Sequence, residues 1–492
     1  MTTTEVSARP ASLNPEVCET HTGVVVLLGD KAYKAKKPVT TDVLDFSTPS
    51  RREVACWREV ELNSRLSSDS YLGVAHVSDP TGGPAEPVVV MRRYPSARRL
   101  ATIVTRGMPV DRELVDIAGL LSRFHDEADR GTHIDAQATR AAVAERWQEN
   151  LRELRRFAPS VASAELIDRI EQLAVNYLAG RAALFKQRIR DHRIVDGHGD
   201  LLADDIFLAP NGPALLDCLE FDDQLRYVDR IDDAAFLAMD LEFLGRRDFA
   251  DFFLNRYSQL SGDDAPHSLK DFYIAYRALV RAKVDGVRYE QGQLVGAQHA
   301  SRHLSLSVQH LTAATVRLTV IGGGPGTGKT TLAHSLAERV NADVISTDDV
   351  RRELRNSQAI TGQAGVLNQG LYSVDNISAV YEELIRRART RLTTGRSVIL
   401  DATWHDARHR AMARELAAET RSALIEIMCS IPAEEAARRV GDRPAGTSDA
   451  TPAVAEALAV STDDWGDAHC VDTTDELSTV TREIEELWCT TT

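Results

Sequence analysis

The segment VRLTVIGGGPGTGKTTLAHSLAERV constrains the fold of this 492-residue chain more than any other, because an apolar run, a glycine-rich loop and a helical pattern follow one another in it. Residues 323–330 match the pattern GxxxxGKS/T between a predicted strand and a predicted helix, which is the context that this motif requires. Glycines let backbone N–H groups surround phosphate oxygens, and the helix N-terminus adds partial positive charge. The segment therefore predicts a phosphate-binding loop in an α/β domain that begins near residue 315.

Each residue type in this loop has a chemical task. Lys329 is expected to reach the β and γ phosphates of a nucleotide, and the Thr330 hydroxyl is expected to bind Mg²⁺. Either ATP or GTP would satisfy the motif. The predicted nucleotide-binding residues are Gly323, Gly324, Pro325, Gly326, Thr327, Gly328, Lys329, Thr330 and Thr331.

Three further apolar runs in this part of the chain, ADVIST, SVILDAT and ALIEIMC, are each followed by polar or helical sequence. They predict a parallel sheet covered by helices. Asp348 follows the first of these runs and Asp401 lies near the end of the second, and the carboxyl ends of parallel strands line the ligand crevice. Both are therefore candidate site residues, although Asp348 or Asp349 would equally serve as the cap of the helix VRREL.

These segments, together with a later stretch AARRVGDRPAGTSDA, resemble the small P-loop kinase family that includes gluconate and shikimate kinases, zeta toxins and polynucleotide 5′-kinases. The resemblance spans nearly the whole C-terminal part. It implies that Asp348 accepts the proton of a substrate hydroxyl, that Arg351 orients the substrate or its phosphate, and that Asp401 belongs to the Mg²⁺ or water shell. It also implies that Arg439 and Arg443 are lid arginines that close over the phosphates, with a solvated helix face as the alternative. Such roles suit phosphoryl transfer, which depends mainly on positioning and on neutralising charge.

The N-terminal part has a different organisation. Polar residues 1–20 predict a disordered terminus, and residues 23–36 alternate like a β-hairpin around a GDK turn. A helical pattern at 51–66 and the strand-like runs VAHVSD and VVVMRRY complete a predicted small α+β lobe, about 21–105. The residues that follow are mostly helical, which predicts a larger helical lobe, about 106–312.

A second group of motifs lies in this larger lobe, where HGDLLADD is followed, after a short strand pair, by LLDCLEF. It resembles the HGDxxxxN catalytic loop and following aspartate of aminoglycoside-phosphotransferase-like kinases, which share the arrangement of protein kinases. The resemblance implies that Asp200 is the catalytic base and that Asp217 is a Mg²⁺ ligand. It further implies a nucleotide-contacting lysine, Lys34 or Lys36, paired with Glu59. Residues two apart on a strand share a face, so both lysines are candidates.

One position departs from that family pattern. Asp205 stands where the family has asparagine, and Leu202 stands where it often has histidine. Aspartate can still bind Mg²⁺, so Asp205 is a predicted metal ligand, but it adds negative charge beside Asp217. The alternative function is therefore a nucleotide-binding regulatory protein with a pseudokinase first domain and an ATPase switch as its second domain.

Charge and cysteine content bear on partners and compartment. The formal net charge is −15 and Lys329 is the only lysine after residue 315, so nucleic-acid binding, including polynucleotide 5′-kinase activity, is not expected. Six cysteines without a CxxC pair, no signal-peptide pattern and no apolar stretch of about 20 residues predict a cytoplasmic protein without a membrane partner. No ligand set surrounds the helically spaced His299, His303 and His310, which are predicted to lie on a solvated helix face.

The predicted fold is an α+β bilobal kinase-like domain, residues 21–312, followed by an α/β P-loop domain with a parallel sheet, residues 315–492. The predicted activity is the ATP- and Mg²⁺-dependent transfer of a phosphoryl group to a hydroxyl of a small polar metabolite. The whole arrangement resembles a bacterial family of two-kinase fusions. The expected partner is the small-molecule acceptor, and the sequence specifies neither its identity nor an oligomeric state.

Overall fold

The computed structural model describes residues 15–19, 23–40, 45–363, 369–441 and 465–492. The chain divides into two compact units that are each discontinuous in sequence. The first unit holds the described residues up to Val143 and the segments Arg188–Ala265 and Tyr276–Leu306. The second unit holds Ala144–Gln187, Pro266–Ala275 and the described residues from Ser307 onward. Part of the helical region therefore groups with the P-loop segment, and the proposed domain limits of 312 and 315 stay predictions.

The small lobe of the first unit is a five-stranded sheet with one helix. Its elements are β1 (Glu16–Glu19), β2 (Gly23–Leu28), β3 (Lys31–Lys36), α1 (Pro49–Ser67), β4 (Tyr71–Val77) and β5 (Glu86–Arg92). The strands are antiparallel in the order β1-β2-β3-β5-β4, and α1 packs against β4 and β5. Thr48 caps α1 by accepting a hydrogen bond from the backbone N–H of Arg51, and Pro49 suits the first helical position. The sheet and helix place Lys34, Lys36 and Glu59 near one another.

Strand β1 corrects the prediction of a disordered terminus for residues 16–19, and the rest of that prediction, residues 1–14 and 20, lies outside the described residues. Residues 16–19 pair antiparallel with β2, with Glu16 opposite Leu27 and Glu19 opposite Val24. The four side chains of this strand are exposed, so it lacks the buried alternating face by which strands are predicted from sequence. Its stability comes from main-chain pairing at a sheet edge.

The larger lobe is helical with four short strands. Its elements are α2 (Leu100–Thr105), α3 (Asp111–Glu127), α4 (Thr132–Ala136), α5 (Arg140–Arg155), α6 (Ala164–Gly180), α7 (Ala182–Arg190), β6 (Ile194–Asp196), β7 (Ile206–Ala209), β8 (Gly212–Leu215), β9 (Tyr227–Asp229), α8 (Arg230–Phe243), α9 (Arg247–Ser261), α10 (His267–Glu290) and α11 (Val295–Ala314). Strand β6 pairs with β9, and β7 pairs with β8. The loop that contains Asp200 joins β6 to β7, and Asp217 follows β8 directly.

The P-loop part of the second unit is built around a parallel sheet. Its elements are β10 (Arg317–Gly322), α12 (Lys329–Val340), β11 (Asp343–Ser346), α13 (Thr347–Asn356), α14 (Val374–Thr393), β12 (Val398–Asp401), α15 (Ala407–Glu419), β13 (Ala423–Ser430), α16 (Ala433–Gly441), β14 (His469–Asp472) and α17 (Leu477–Thr490). The strand order is β11-β12-β10-β13-β14, and every pair is parallel. Helices α12 and α17 contribute Leu332, Leu336, Ile484 and Trp488 to the core beneath the sheet. Both parts agree with the predicted fold class, which is confirmed.

Two of the three histidines on α11 are buried, so the prediction of a solvated face is wrong for them. His303 Nδ1 lies 2.9 Å from Asp285 Oδ2, and His310 Nδ1 lies 2.7 Å from Asp271 Oδ1. Each imidazole is thus paired with a carboxylate from α10. The partners lie 18 and 39 residues away along the chain, a distance at which helical spacing carries no signal.

All six cysteines are free. Among the described residues, no helix is both long and apolar enough to cross a lipid bilayer.

Candidate functional site

The loop between β10 and α12 has the backbone geometry that its glycines predict. Gly326 and Gly328 have φ values of 87° and 82°, in the left-handed region that glycine adopts without strain. A Cβ atom on Gly326 would lie 2.4 Å from the carbonyl oxygen of Ala436, so no larger residue fits there. The loop therefore requires glycine for both conformation and space.

The side chains at the end of this loop meet the end of the neighbouring strand. Thr330 Oγ1 donates a hydrogen bond of 2.6 Å to Asp401 Oδ2, and Lys329 Nζ lies 2.9 Å from the carbonyl oxygen of Gly324. The pairing of β10 with β12, with Ile321 opposite Asp401, brings the carboxylate to this position. A hydroxyl and a carboxylate oxygen are hard donors of the kind that Mg²⁺ prefers. Thr330 and Asp401 are therefore the residues of this unit that fit a magnesium ion beside a phosphate.

The electrostatic setting of Asp401 supports this arrangement. Asp401 is 5% exposed, and burial raises the pKa of its carboxyl, while Lys329 and the Thr330 hydroxyl act against that rise. The charge of Asp348, the other predicted carboxylate, adds to the rise. A buried carboxylate with a raised pKa gains most from a nearby cation.

Asp348 and Arg351 lie one helical turn apart in α13 and form an ion pair of 2.7 Å. The cap of this helix is Ser346, whose hydroxyl accepts a hydrogen bond from the backbone N–H of Asp349. The alternative that Asp348 or Asp349 caps the helix with its side chain is therefore wrong, because the cap comes earlier in the chain. Arg351 also stacks over the ring of Tyr372 at 4.8 Å, and its buried Nε has no hydrogen-bond partner among the described residues.

Arg439 lies beside the phosphate-binding loop. Its Nη2 donates to the carbonyl oxygen of Thr473, and its Nε donates to Glu435. With Gly328, Thr331 and Thr473 it lines a cavity of about 240 Å³. The other predicted lid arginine, Arg443, lies outside the described residues.

Two residues near this site, Thr473 and His405, belong to none of the predicted motifs. Thr473, which follows the edge strand β14, donates from Oγ1 to the carbonyl oxygen of Thr327 at 2.7 Å and so links the end of that strand to the phosphate loop. His405 follows β12, and burial, with the charges of Lys329 and Arg410, lowers the pKa of its imidazole to about 4. The position of His405, four residues after Asp401 in DATWHDARHR, is a signal that could have found it; Thr473 has no such signal.

In the first unit, the two candidate lysines of β3 occupy different places in one chain of ion pairs. Lys34 Nζ lies 2.7 Å from Asp217 and 2.9 Å from Glu59. Lys36 Nζ lies 2.7 Å from Glu59 and 2.7 Å from Glu220. The pKa of both lysines is raised, because these carboxylates outweigh burial. Glu59 therefore bridges both lysines, as the shared strand face predicts, while only Lys34 reaches Asp217.

A cavity of about 630 Å³ also distinguishes the two lysines, because only Lys34 lines it. Its wall includes Ala32, Lys34, Tyr71, Asp205 and Asp217, together with the last residue of β5, Arg92, and the chain that follows it to Ala97. Lys36 and Glu59 are not part of the wall. The volume is within the range of small-molecule and nucleotide pockets, and Lys34 is the lysine that faces it.

The loop of Asp200 is held by a buried aspartate that the motifs did not predict. Asp233, from α8, accepts hydrogen bonds from the backbone N–H groups of His198 and Gly199 and is bonded to His125. His198 is buried and its Nε2 lies 3.1 Å from the carbonyl oxygen of Leu216, next to Asp217. His198 is thus a structural link between the segments that contain Asp200 and Asp217, which agrees with a structural role in the loop.

Asp205 and Asp217 have opposite electrostatic settings. Lys34 lowers the pKa of Asp217, which sits at a φ of 64°. Burial raises the pKa of Asp205 well above its usual value, and the charges of Asp217 and Asp200 add to the rise. Among the described residues, no three Asp, Glu, His or Cys side chains are grouped closely enough to hold a metal by themselves. A magnesium ion here would need nucleotide phosphates among its ligands, which is usual for Mg²⁺.

Comparison with solved structures finds kinases among the similar chains. The choline/ethanolamine kinase family protein from Mesorhizobium loti is 15% identical and aligns with 61% of this chain and 92% of its own, with a TM-score of 0.38. The gluconokinase from Sinorhizobium meliloti 1021 is 20% identical over 34% of this chain and 88% of its own, with a TM-score of 0.25.

Comparison of sequences covers more of the chain. A family model described as an AAA domain matches residues 318–464. The proteins named "Uncharacterized protein Rv2004c", of Mycobacterium tuberculosis, and "Uncharacterized protein Mb2027c", of Mycobacterium bovis, are each 58% identical over 468 residues, which is 95% of this chain and 94% of theirs. The chain therefore belongs to the same protein family as these mycobacterial relatives.

Proposed function

We propose that the protein is an ATP- and Mg²⁺-dependent phosphotransferase that acts on a hydroxyl of a small polar metabolite, with one nucleotide site in each unit. The observation that carries the proposal is the hydrogen bond of 2.6 Å between Thr330 and Asp401 beside a glycine-dependent phosphate loop. This pair unites the hydroxyl and carboxylate that P-loop enzymes use around a nucleotide-bound cation. A Mg²⁺ ion bound there would neutralise charge on the transferred phosphoryl group.

In the second unit, the chain's own residues can supply the remaining tasks. Lys329 is bonded to the carbonyl oxygen of Gly324 within the loop, and its ammonium group would bind phosphate oxygens of the nucleotide from there. Asp348 would accept the proton of the acceptor hydroxyl, and Arg351 holds its carboxylate in place. Arg439, which lines the cavity beside Gly328 and Thr331, would contact the nucleotide phosphates. These roles rest on the resemblance to small P-loop kinases together with the distances above.

In the first unit, the proposed site consists of a lysine for the phosphates, a glutamate that holds this lysine, a catalytic base and two aspartates for the metal ion. Lys34 would contact the nucleotide phosphates, with Glu59 holding its ammonium group on the buried side. Asp217 would hold Mg²⁺ with Asp205, and Asp200 would accept the proton of the acceptor. The six free thiols fit the reducing cytoplasm as the compartment.

A second candidate function is favoured by one observation. Asp205 replaces the family's asparagine, and burial together with Asp217 and Asp200 disfavours its charged form. A site with this repulsion would bind nucleotide without efficient turnover, as in a pseudokinase that regulates an ATPase second unit.

The two functions differ in their products. We expect incubation of the purified protein with γ-labelled ATP, Mg²⁺ and a metabolite library to yield a labelled small molecule, and we expect Asp348→Asn or Asp200→Asn to reduce its formation. Steady release of labelled phosphate with no labelled acceptor would instead support the regulatory function. No labelled product and no hydrolysis would contradict both.

A further inference from the structure

A cavity of about 230 Å³ lies within the second unit, at the amino ends of the parallel strands β10 and β13. Its wall includes Val316, which precedes β10, Ala423, which begins β13, and Leu173 and Tyr177 of α6. The phosphate loop follows the other end of β10, and six strand residues at about 3.3 Å each separate the two ends by roughly 20 Å. The cavity is therefore separate from the nucleotide site proposed for this unit.

The wall of this cavity contains a buried guanidinium group. Arg181 follows α6 directly and is 1% exposed. Its Nη1 donates hydrogen bonds of 2.8–3.0 Å to the carbonyl oxygens of Gly180, Leu392 and Thr420. These carbonyls belong to the C-terminal ends of α6, α14 and α15, where partial negative charge attracts a cation. The contacts account for the position of the guanidinium group, but they use only one of its three nitrogens.

The other two nitrogens of Arg181 have no protein partner. The buried Nε has no hydrogen-bond partner, and Nη2 forms no hydrogen bond with any residue that the structure describes. No carboxylate side chain is among the described residues of the cavity wall, and burial lowers the pKa of the guanidinium group to about 10. Nε and Nη2 form an edge that can bind both oxygens of a carboxylate or phosphate. A buried donor without an acceptor is costly, so an oxyanion at this edge would complete it.

A second arginine lines the same cavity. Arg421 is exposed, and its side chain forms no hydrogen bond or ion pair with the described part of the chain. Its backbone has a φ of 49°, in the left-handed region where a helix more often ends in glycine. Asn176, Thr315 and Ser422 add neutral polar residues to the wall. The cavity thus combines two cationic side chains with neutral polar groups, a composition that suits an anion.

We propose that this cavity binds a small oxyanion, the phosphate or carboxylate group of a small metabolite, through the Nε and Nη2 edge of Arg181 with Arg421 as a second cation. The inference goes beyond the proposed phosphotransferase function and does not depend on it. Pockets for larger ligands measure roughly 300–1,000 Å³, so a cavity of about 230 Å³ suits a small anion better than a nucleotide. Phosphate and carboxylate both offer the two adjacent oxygens that the arginine edge requires.

The test is calorimetric titration of the full chain in a buffer that contains neither phosphate nor carboxylate, with the ionic strength held constant by chloride. The probes are inorganic phosphate and malonate, and glycerol is the neutral control. We expect at least one of the two anions to bind and glycerol not to bind. Comparison of phosphate with malonate shows which oxyanion the site prefers. The same binding should persist in Lys329→Ala, because that lysine lies beyond the opposite end of β10.

Arg181→Lys separates the structural role of this residue from its role toward the anion. An ammonium group has three donors and can keep the carbonyl contacts, but it lacks the planar fork of the guanidinium group. We therefore expect urea denaturation of this variant close to that of the wild type, and an anion affinity lower by roughly 10- to 100-fold.

Arg421→Gln tests the second cation at an exposed position. It should leave the urea denaturation unchanged and weaken the anion by roughly two- to fivefold, as expected for an exposed ion pair. The matched control is Arg152→Gln, which removes an exposed arginine of α5 in the same unit, outside the cavity wall. This control should change neither quantity.

Three results would overturn the inference. Neither anion may bind, which would show that water or the chain's own groups satisfy Arg181. Binding that is unchanged in both Arg181→Lys and Arg421→Gln would place the anion elsewhere, and binding that disappears in Lys329→Ala would place it in the phosphate loop. If Arg181→Lys does not fold, the comparison of Arg421→Gln with Arg152→Gln decides the question.

Discussion

Lys34 and Lys36 lie two residues apart on β3, yet the structure predicts that replacing each with methionine will have a different consequence. The Lys34 side chain is 15% exposed and faces the cavity, where it contacts Asp217, whose side chain is 47% exposed. The Lys36 side chain is 2% exposed between Glu59 at 0% and Glu220 at 14%. Lys34 should therefore matter for the nucleotide, and Lys36 for the fold.

The expected losses of folding stability and of ATP affinity depend on which charged groups each substitution leaves without a partner. Lys36→Met leaves Glu220 without its cation and Glu59 with one lysine in place of two, and breaking a buried pair from one side costs roughly 3–5 kcal/mol. Lys34→Met leaves Asp217 in contact with water and Glu59 still paired with Lys36, so its cost should be about 1 kcal/mol or less. The affinity of the first unit for Mg–ATP should fall by roughly 10- to 100-fold in Lys34→Met, because a charged partner of the phosphates is lost.

The assay combines urea denaturation followed by circular dichroism with calorimetric titration of Mg–ATP, on chains that also carry Lys329→Ala. Lys31→Met is the matched control, since Lys31 begins the same strand and is exposed. It should change neither quantity. Normal ATP binding by Lys34→Met, together with lost binding and unchanged stability in Lys36→Met, would show that the assignment of the two lysines is reversed.

Three further predictions concern the carboxylates. Asp348→Asn should slow phosphoryl transfer by the second unit by roughly 100- to 10,000-fold with little change in ATP affinity, measured by product formation and calorimetry; a matching loss of affinity would point to a metal role. Asp205→Asn should lower the Mg²⁺ concentration needed for ATP binding by the first unit. Because the pKa of Asp205 is raised in the folded state, ionisation of this carboxyl opposes folding as pH rises above about 4. In urea, Asp205→Asn should therefore be more stable than the wild type at pH 7 and as stable as the wild type at pH 3. Equal stability of the two chains at pH 7 would refute the raised pKa. Thr330→Val should weaken Mg²⁺-dependent ATP binding by the second unit. The unit should stay folded, because the charge of Lys329 still stabilises the Asp401 carboxylate. If the Mg²⁺ dependence of ATP binding is unchanged, Thr330 is not a metal ligand.

The parts of the fold that were predicted correctly have local signals. The phosphate loop, its flanking strand and helix and the carboxylates at the strand ends each occupy a few consecutive residues, and periodicity identifies them. The antiparallel hairpin of β2 and β3 likewise follows from alternation around a turn. These signals place Thr330 in the phosphate loop and Asp401 at the end of a strand, whereas the pairing of β10 with β12 that brings the two together has no local signal.

The features that were missed depend on residues far apart in sequence. Asp233 supports the loop of Asp200 from 34 residues away, and Thr473 reaches the phosphate loop across 146 residues. The choice between Lys34 and Lys36 depends on where the cavity lies, which strand periodicity does not encode. The burial of His303 required its partner Asp285 to be placed on a packed neighbouring helix. Such information enters only with tertiary packing.

The central claim is that one chain holds two nucleotide sites, and the number of bound nucleotides tests it most directly. Equilibrium dialysis with labelled AMP-PNP and Mg²⁺ should find two nucleotides per wild-type chain. It should find one in Lys34→Met, one in Lys329→Ala and none in the double variant at concentrations that saturate the wild type. A single nucleotide per wild-type chain, lost completely in Lys329→Ala and unaffected by Lys34→Met, would contradict the account.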